Sequence, residues 1–197
     1  MQTEIEAKWL DVDKYKIRNK LKQAGAKQVH PERLMTRRNF DYPDGRLEKI
    51  SGWVRVRDEA NKITLSYKQM NDRSIHGTKE VDVVVNDADA VCEFLKSIGL
   101  EQKSFQETKR ESWMLDDIEI EIDTWPWIQS FVEIEASSED KVFQVAKQLG
   151  LTPEDALHGS VEIAYQALYD VTEEEVNGWE NISFIDTPGW LLEKKIK

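Results

Sequence analysis

Residues Ile118-Glu119-Ile120-Glu121-Ile122-Asp123 alternate apolar and acidic side chains, and this alternation limits the fold more than any other feature. In a strand, side chains two residues apart share a face, so the three isoleucines lie on one side and the three carboxylates on the other. The pattern recurs. Glu4-Ile5-Glu6-Ala7-Lys8 sets Glu4, Glu6 and Lys8 opposite Ile5, Ala7 and Trp9, and Glu133 and Glu135 stand with Phe131 opposite Val132, Ile134 and Ala136. Arg55 and Arg57 flank Val56; Thr64, Ser66 and Lys68 alternate with Ile63, Leu65 and Tyr67; Glu80 and Asp82 alternate with Val81 and Val83. Like charges along one strand repel unless a cation sits between them, and a divalent metal would fill that role.

The strand-like segments follow one another closely, with turn chemistry at Pro43-Asp44-Gly45 and Glu59-Ala60-Asn61, which predicts antiparallel pairing. Helical spacing separates them. Asp11 or Asp13 caps a predicted helix to Ala24 stopped by Gly25, and a second runs from Asp87 or Asp89 to Ile98. A third covers Glu139 to Leu149 after Ser137 or Ser138, and a fourth follows Ser160 and contains Ile163, Leu168 and Tyr169. Thr172-Glu173-Glu174-Glu175 reads as a short capped turn. The reading is a principal domain over residues 1–170 and an aromatic C-terminal extension, 171–197, docked on it as a lid, a dimer contact or simple packing.

With 27 Lys and Arg against 38 Asp and Glu, the net charge is −11, which argues against general nucleic-acid affinity and requires a local basic cavity for any anionic ligand. No run of eighteen apolar residues and no charged-then-apolar leader is seen, so the expectation is a cytoplasmic protein without a membrane partner. The single cysteine, Cys92, sits among Val91, Phe94 and Leu95 and is read as a small core residue. His30, His76 and His158 lack the spacing of a metal site and are read as surface or loop residues.

About eight mostly antiparallel strands with helices outside give an α+β fold class, and closing the sheet into a barrel turns the charged faces inward. The tunnel would hold Glu4, Glu6, Glu80, Asp82, Glu119, Glu121, Asp123, Glu133 and Glu135 with Lys8, Arg55, Arg57, Lys68 and Arg110. Unpaired buried charges cost several kcal/mol each, so such an interior must be wet, internally paired and ligand-filled. Polyphosphate chemistry wants both signs at once: carboxylates take a hard divalent cation while Arg and Lys hold phosphate oxygens.

These residues also carry a resemblance. Glu4-Ile5-Glu6-Ala7-Lys8 is similar to the ExExK signature of the CYTH domain, or triphosphate tunnel metalloenzyme, superfamily. The similarity continues in order through Arg55-Val56-Arg57, Leu65-Ser66-Tyr67-Lys68, Arg110, Ile122-Asp123 and Phe131-Val132-Glu133-Ile134-Glu135. It implies a closed eight-stranded tunnel with Mg2+ or Mn2+ on Glu4, Glu6, Asp123, Glu133 and Glu135. It implies a phosphate clamp of Lys8, Arg55, Arg57, Lys68 and Arg110, with Arg110 preferred to Lys109, which alternation turns outward. The function expected from it is metal-dependent hydrolysis of inorganic triphosphate or a small organic triphosphate. A metal-held or carboxylate-oriented water attacks the terminal phosphorus in line, with Lys8, Glu4 and Glu6 as the catalytic set and Lys8 assisting the water. In some members a tyrosine partners that lysine; here Phe40 stands where it is expected, and whether Tyr42 substitutes is left open. The alternatives are a class IV adenylate cyclase, and a non-catalytic polyphosphate- or nucleotide-binding module. Trp125-Pro126-Trp127 is read as packing at the barrel mouth or on a helix, with base stacking the other option. A homodimer is left open.

Overall fold

The structure, a computed structural model, describes residues 1–196. Its frame is a curled antiparallel sheet, and an α+β architecture follows from the helices packed around it. The strands are β1 (Gln2–Thr3), β2 (Glu6–Trp9), β3 (Lys27–Asp41), β4 (Gly52–Asp58), β5 (Ile63–Met70), β6 (Thr78–Val85), β7 (Glu101–Leu115), β8 (Ile118–Thr124), β9 (Phe131–Glu135) and β10 (Asn181–Ile182). Eight of them run in the order β6-β5-β4-β3-β7-β8-β9-β2, every neighbouring pair antiparallel. β2 and β6, the ends of that run, do not pair with each other. Instead Gln2 and Thr3 of β1 pair with Glu80 and Lys79 of β6, and the chain then passes through Glu4 and Ile5 into β2.

The helices are α1 (Lys14–Ala24), α2 (Ala88–Ser97), α3 (Glu139–Gln148), α4 (Glu162–Gln166), α5 (Glu173–Asn177) and α6 (Gly189–Leu192). Their ends obey the sequence. Asp13, Asp87 and Ser138 accept hydrogen bonds from first-turn amides of α1, α2 and α3, and Gly25 stops α1 at φ 84°. Thr172 and Glu175 form a reciprocal capping box on α5. Ser160, expected to cap the fourth helix, instead hydrogen-bonds the Glu162 carboxylate; α4 starts later and is only five residues long.

The isoleucine face of β8 meets Ile134, Leu21, Val142, Val145 and Leu149 under α1 and α3. On the neighbouring part of the sheet Phe40, Val56, Cys92, Leu95 and Leu100 form the layer under α2. Phe40 is therefore a core residue, 1% exposed. The ladder between β3 and β7 shifts register between Asn39 and Phe40, and the preceding inner position on β3 belongs to Asn39. Tyr42 packs at the edge of the same apolar layer, with the Arg46 guanidinium 4.3 Å above its ring. Neither residue supplies a tyrosine beside Lys8, which corrects that expectation.

The C-terminal segment is held by backbone and aromatic contacts. β10 adds parallel to Phe105–Gln106 of β7, and Trp179 meets Trp127, Tyr165 and Trp190 edge-on at 6.1, 5.1 and 5.3 Å. Lys109 faces outward, as alternation requires, its ammonium 4.6 Å over the Phe184 ring.

The apolar setting of Phe40 yields a test. Phe40→Tyr places a hydroxyl in a mainly apolar layer and should cost about 1–3 kcal/mol. Thermal unfolding should show a midpoint lower by roughly 2–4 °C per kcal/mol. An unchanged midpoint would mean that the ring reaches a polar space.

Candidate active site

The concave face of the sheet encloses a cavity of about 1180 Å3. Glu4, Glu6, Lys8, Arg55, Arg57, Lys68, Arg110, Asp123, Glu133 and Glu135 all line it, so the ten residues singled out from sequence come together around one space. Their convergence follows from register. Across three strands the inner face presents Glu119, Glu135 and Glu6 as one row, and Glu121, Glu133 and Lys8 as the next. On the opposite wall Arg37 pairs with Arg57, and Asn39 with Arg55. One wall is acidic and the other basic.

Lysine and arginine bridges hold part of the acidic wall. Lys8 reaches Glu6 at 2.6 Å and Glu133 at 2.9 Å, while Arg110 donates from Nε to Asp123 at 2.7 Å and lies 3.3 Å from Glu133. Lys68 bridges Glu4 and Glu80, each at 2.9 Å. Against burial, Glu133 and Glu6 hold the Lys8 ammonium well above its ordinary range. Lys8 is thus a fixed cation here, in a state unsuited to taking a proton from water. Against burial, Lys8 and Arg110 likewise hold Glu133 below the usual carboxylate range.

The remaining acids lack such partners. Among the described residues, no cation lies within 4.0 Å of Glu119, Glu121 or Glu135, and Oε2 of Glu121 is buried without a hydrogen bond. Burial and the neighbouring carboxylates Glu6, Glu133 and Glu119 push Glu135 up to about 7. Burial first, and Asp123 and Glu133 after it, raise Glu121 to about 7, Arg110 opposing. Burial and the hydrogen bond with Glu80 raise Glu4 to about 8. Among the described residues no group of three or more His, Cys, Asp or Glu is gathered tightly enough to hold a metal ion. The five expected ligands do share the cavity, but Lys8, Lys68 and Arg110 draw four of them into ion pairs. The donor set nevertheless fits a hard divalent cation: all ligands are carboxylate oxygens, and in the Glu6–Glu135–Glu119 row only Glu6 has a cation, Lys8, within 4.0 Å among the described residues.

On the basic wall Arg55 lies 2.8 Å from Glu80, and Arg57 2.7 Å from Glu59. Glu59 escaped the sequence reading because it belongs to the β4–β5 turn; it is 4% exposed and also meets Arg33 at 3.3 Å. Arg37 escaped it too, although alternation from Phe40 would have turned it inward with Asn39. Its guanidinium lies 4.5 Å over the Trp125 ring. Burial and the adjacent Arg55, Arg57 and Arg110 all disfavour its charge.

Trp125 lines the cavity with Arg37 over its ring, while Trp127, packed on Trp179 and donating to the Ile185 carbonyl at 3.0 Å, is not among the lining residues. No tyrosine lines the cavity among the described residues. His158 approaches only the Glu6 carbonyl, at 3.3 Å, and His30 and His76 lie elsewhere. Glu173, Asn177, Gly178 and Glu180 of the C-terminal segment reach the cavity rim, where Arg73 meets Glu173 at 2.5 Å.

Comparison with known proteins agrees with this architecture. The structure is similar to the PH1012 protein of Pyrococcus horikoshii, with a TM-score of 0.65 and 25% identity over 78% of this chain and 93% of that one. It is similar in fold to a candidate adenylate cyclase of Vibrio parahaemolyticus (TM-score 0.72, 16% identity, 84% and 98% covered). A third likeness of fold is to HpAC1 of Hippeastrum, a candidate adenylyl cyclase described as having a dominant triphosphatase activity (TM-score 0.59, 14% identity, 88% and 94% covered). None of the curated proteins matches the chain. The family model for the CYTH domain matches residues 2–160, and with the ordered charges of the cavity this establishes that the chain belongs to the CYTH domain family.

Proposed function

We propose that this chain is a metal-dependent triphosphatase acting on inorganic triphosphate or a small organic triphosphate, and that β1 and β2 together complete the wall of a tunnel. The observation that carries the reading is the facing of two walls of opposite charge across one cavity: the Glu6–Glu135–Glu119 row on one side, Arg37, Arg55 and Arg57 on the other. Each wall keeps groups without a charged partner among the described residues, Glu121 and Glu135 on one and Arg37 on the other, and a metal-bound polyphosphate is the ligand that answers both. The HpAC1 likeness favours the same chemistry.

In this reading Glu4, Glu6, Asp123, Glu133 and Glu135 would hold Mg2+ or Mn2+. When bound, the cation neutralises phosphate oxygens and favours attack at phosphorus. Arg55, Arg57, Lys68 and Arg110 bind the phosphate chain and align its terminal group. They then stabilise charge on the equatorial and leaving oxygens, so the chain's own contribution is positioning and electrostatics. Lys8, kept protonated by Glu6 and Glu133, donates to a phosphate oxygen rather than removing a proton. Water is oriented by the carboxylates that no cation neutralises. The C-terminal residues at the rim bound the space for an organic group. A class IV cyclase would use the same clamp and expose the α-phosphorus to a ribose hydroxyl.

Phosphate release from tripolyphosphate, thiamine triphosphate and ATP, with Mg2+, Mn2+ or EDTA, should show metal-dependent turnover of at least one. Glu135→Gln should lower kcat at least about 100-fold, and Arg57→Ala should raise KM roughly tenfold. Cyclic AMP from ATP in the same tubes would replace the hydrolase by a cyclase; normal activity in both variants would remove the tunnel site.

The raised carboxylates give a second prediction. Glu4, Glu121 and Glu135 hold protons in the folded state to about 8, 7 and 7, above their ordinary value of 4.5. The unfolded chain then binds fewer protons across that interval, so the stability they contribute is complete below about pH 4.5 and is lost as pH rises through 7 to 8. In EDTA the thermal midpoint should fall between pH 5 and pH 8. Mn2+ should raise it more at pH 8 than at pH 5, and an equal rise at both would contradict a carboxylate site.

A further inference from the structure

We propose that Arg37 is an additional anion-binding residue of the cavity, held for a phosphate oxygen and set in place by Trp125. The inference rests on the polyphosphate reading above and adds to it a residue outside the motifs that suggested that reading. Every other cation on these walls has an anionic partner in the protein: Lys8 with Glu6 and Glu133, Arg55 with Glu80, Arg57 with Glu59, Lys68 with Glu4 and Glu80, Arg110 with Asp123. Arg37 has none within 4.0 Å among the described residues. It is 8% exposed, its Nε has no hydrogen-bond partner, and its one side-chain hydrogen bond runs from Nη2 to the Thr108 hydroxyl at 3.3 Å.

Its neighbours make the position costlier. Arg37 stands directly opposite Arg57 in the β3–β4 ladder, and like charges across a ladder repel. A guanidinium cannot shed its proton to escape. Trp125 offers partial compensation through its ring face at 4.5 Å and so restrains the guanidinium, whose Nε is buried without a hydrogen-bond partner. A buried, oriented, unpartnered guanidinium beside a second guanidinium is the arrangement that receives a tetrahedral oxyanion through parallel N–H donors. Binding at Arg55 or Arg57 must compete with an existing ion pair. Binding at Arg37 displaces no carboxylate, so a polyphosphate gains most there. Trp125 acts through Arg37 and is a positioning residue.

The test uses imidotriphosphate, whose bridging nitrogens resist hydrolysis, with the full chain in Mg2+, read by calorimetric titration and by thermal unfolding without ligand. Arg37→Met should weaken binding roughly 10- to 100-fold and raise the ligand-free midpoint, because the unpaired cation is gone. Arg37→Lys should recover part of the affinity, since it keeps the charge but not the fork. Trp125→Leu should weaken binding in the wild-type background and have little effect in Arg37→Met. Arg37→Gln gives a polar variant should the methionine protein fail to fold, with the same expected loss. Unchanged affinity in Arg37→Met and Arg37→Gln would overturn the proposal alone. Loss of affinity together with a lowered ligand-free midpoint would make Arg37 a structural cation and also overturn it. A wild-type protein that binds no imidotriphosphate would overturn the polyphosphate reading and this inference with it.

Discussion

The whole structure depends on charge held on the concave face of a sheet. Because the sheet is antiparallel and pleated, each strand that sends an isoleucine or valine outward sends a glutamate, lysine or arginine inward, and the two sets cannot be separated. Cross-strand ion pairs make this tolerable: Lys8 between Glu6 and Glu133, Lys68 between Glu4 and Glu80, Arg110 between Asp123 and Glu133. A one-residue slip in any ladder would put those charges against α1 and α3 and the isoleucines of β8 into the cavity, so register is specified from both faces at once.

The apolar side answers this with helices that cover the sheet in separate patches. Leu21 of α1 and Val145 of α3 pack on Ile120 and Ile134, while Cys92 and Leu95 of α2 pack on Phe40 and Val56. Beyond the end of β8, β7 keeps β3 on one side and an open edge on the other. Asn181 and Ile182 take up that edge, and the tryptophans on either side of β10 anchor it. The C-terminal segment is thus part of the sheet as well as part of the cavity rim.

Most of this was legible in the sequence because period-two alternation and helix caps are local. The ten residues singled out and found lining the cavity follow from alternation and motif order, and Asp13, Asp87, Ser138 and Thr172 follow from capping chemistry. What could not be read depends on where a strand bends or ends. Phe40 falls in the core rather than beside Lys8 because β3 runs unbroken against β4, which turns Asn39, opposite Arg55, to the inner face and Phe40, opposite Val54, to the outer one. Ser160 bonds a side chain in place of an amide, and Glu59 enters the site from a turn, where no periodicity applies. The split of the N-terminal segment into β1 and β2, one on each end of the run, is likewise a matter of long-range pairing that a five-residue motif cannot encode.

Burial alone does not distinguish the charges that serve the fold from those that serve a ligand; satisfaction does. Asp41 is 5% exposed, yet it accepts hydrogen bonds from the amides of Tyr42, Leu47 and Glu48 and so fastens the turn after β3. Glu111 is fully buried and receives Arg18, Gln28 and Trp113. Arg33 is spent on the Glu59 carboxylate and carbonyl, the Arg110 carbonyl and Ser112. These groups are complete without any ligand. Glu121 keeps an orphaned oxygen, Glu135 stands between like charges, and Arg37 keeps an orphaned Nε opposite another arginine. A chain that completes these structural charges, and leaves Glu121, Glu135 and Arg37 incomplete around one cavity, carries the local inconsistency expected where function overrides packing.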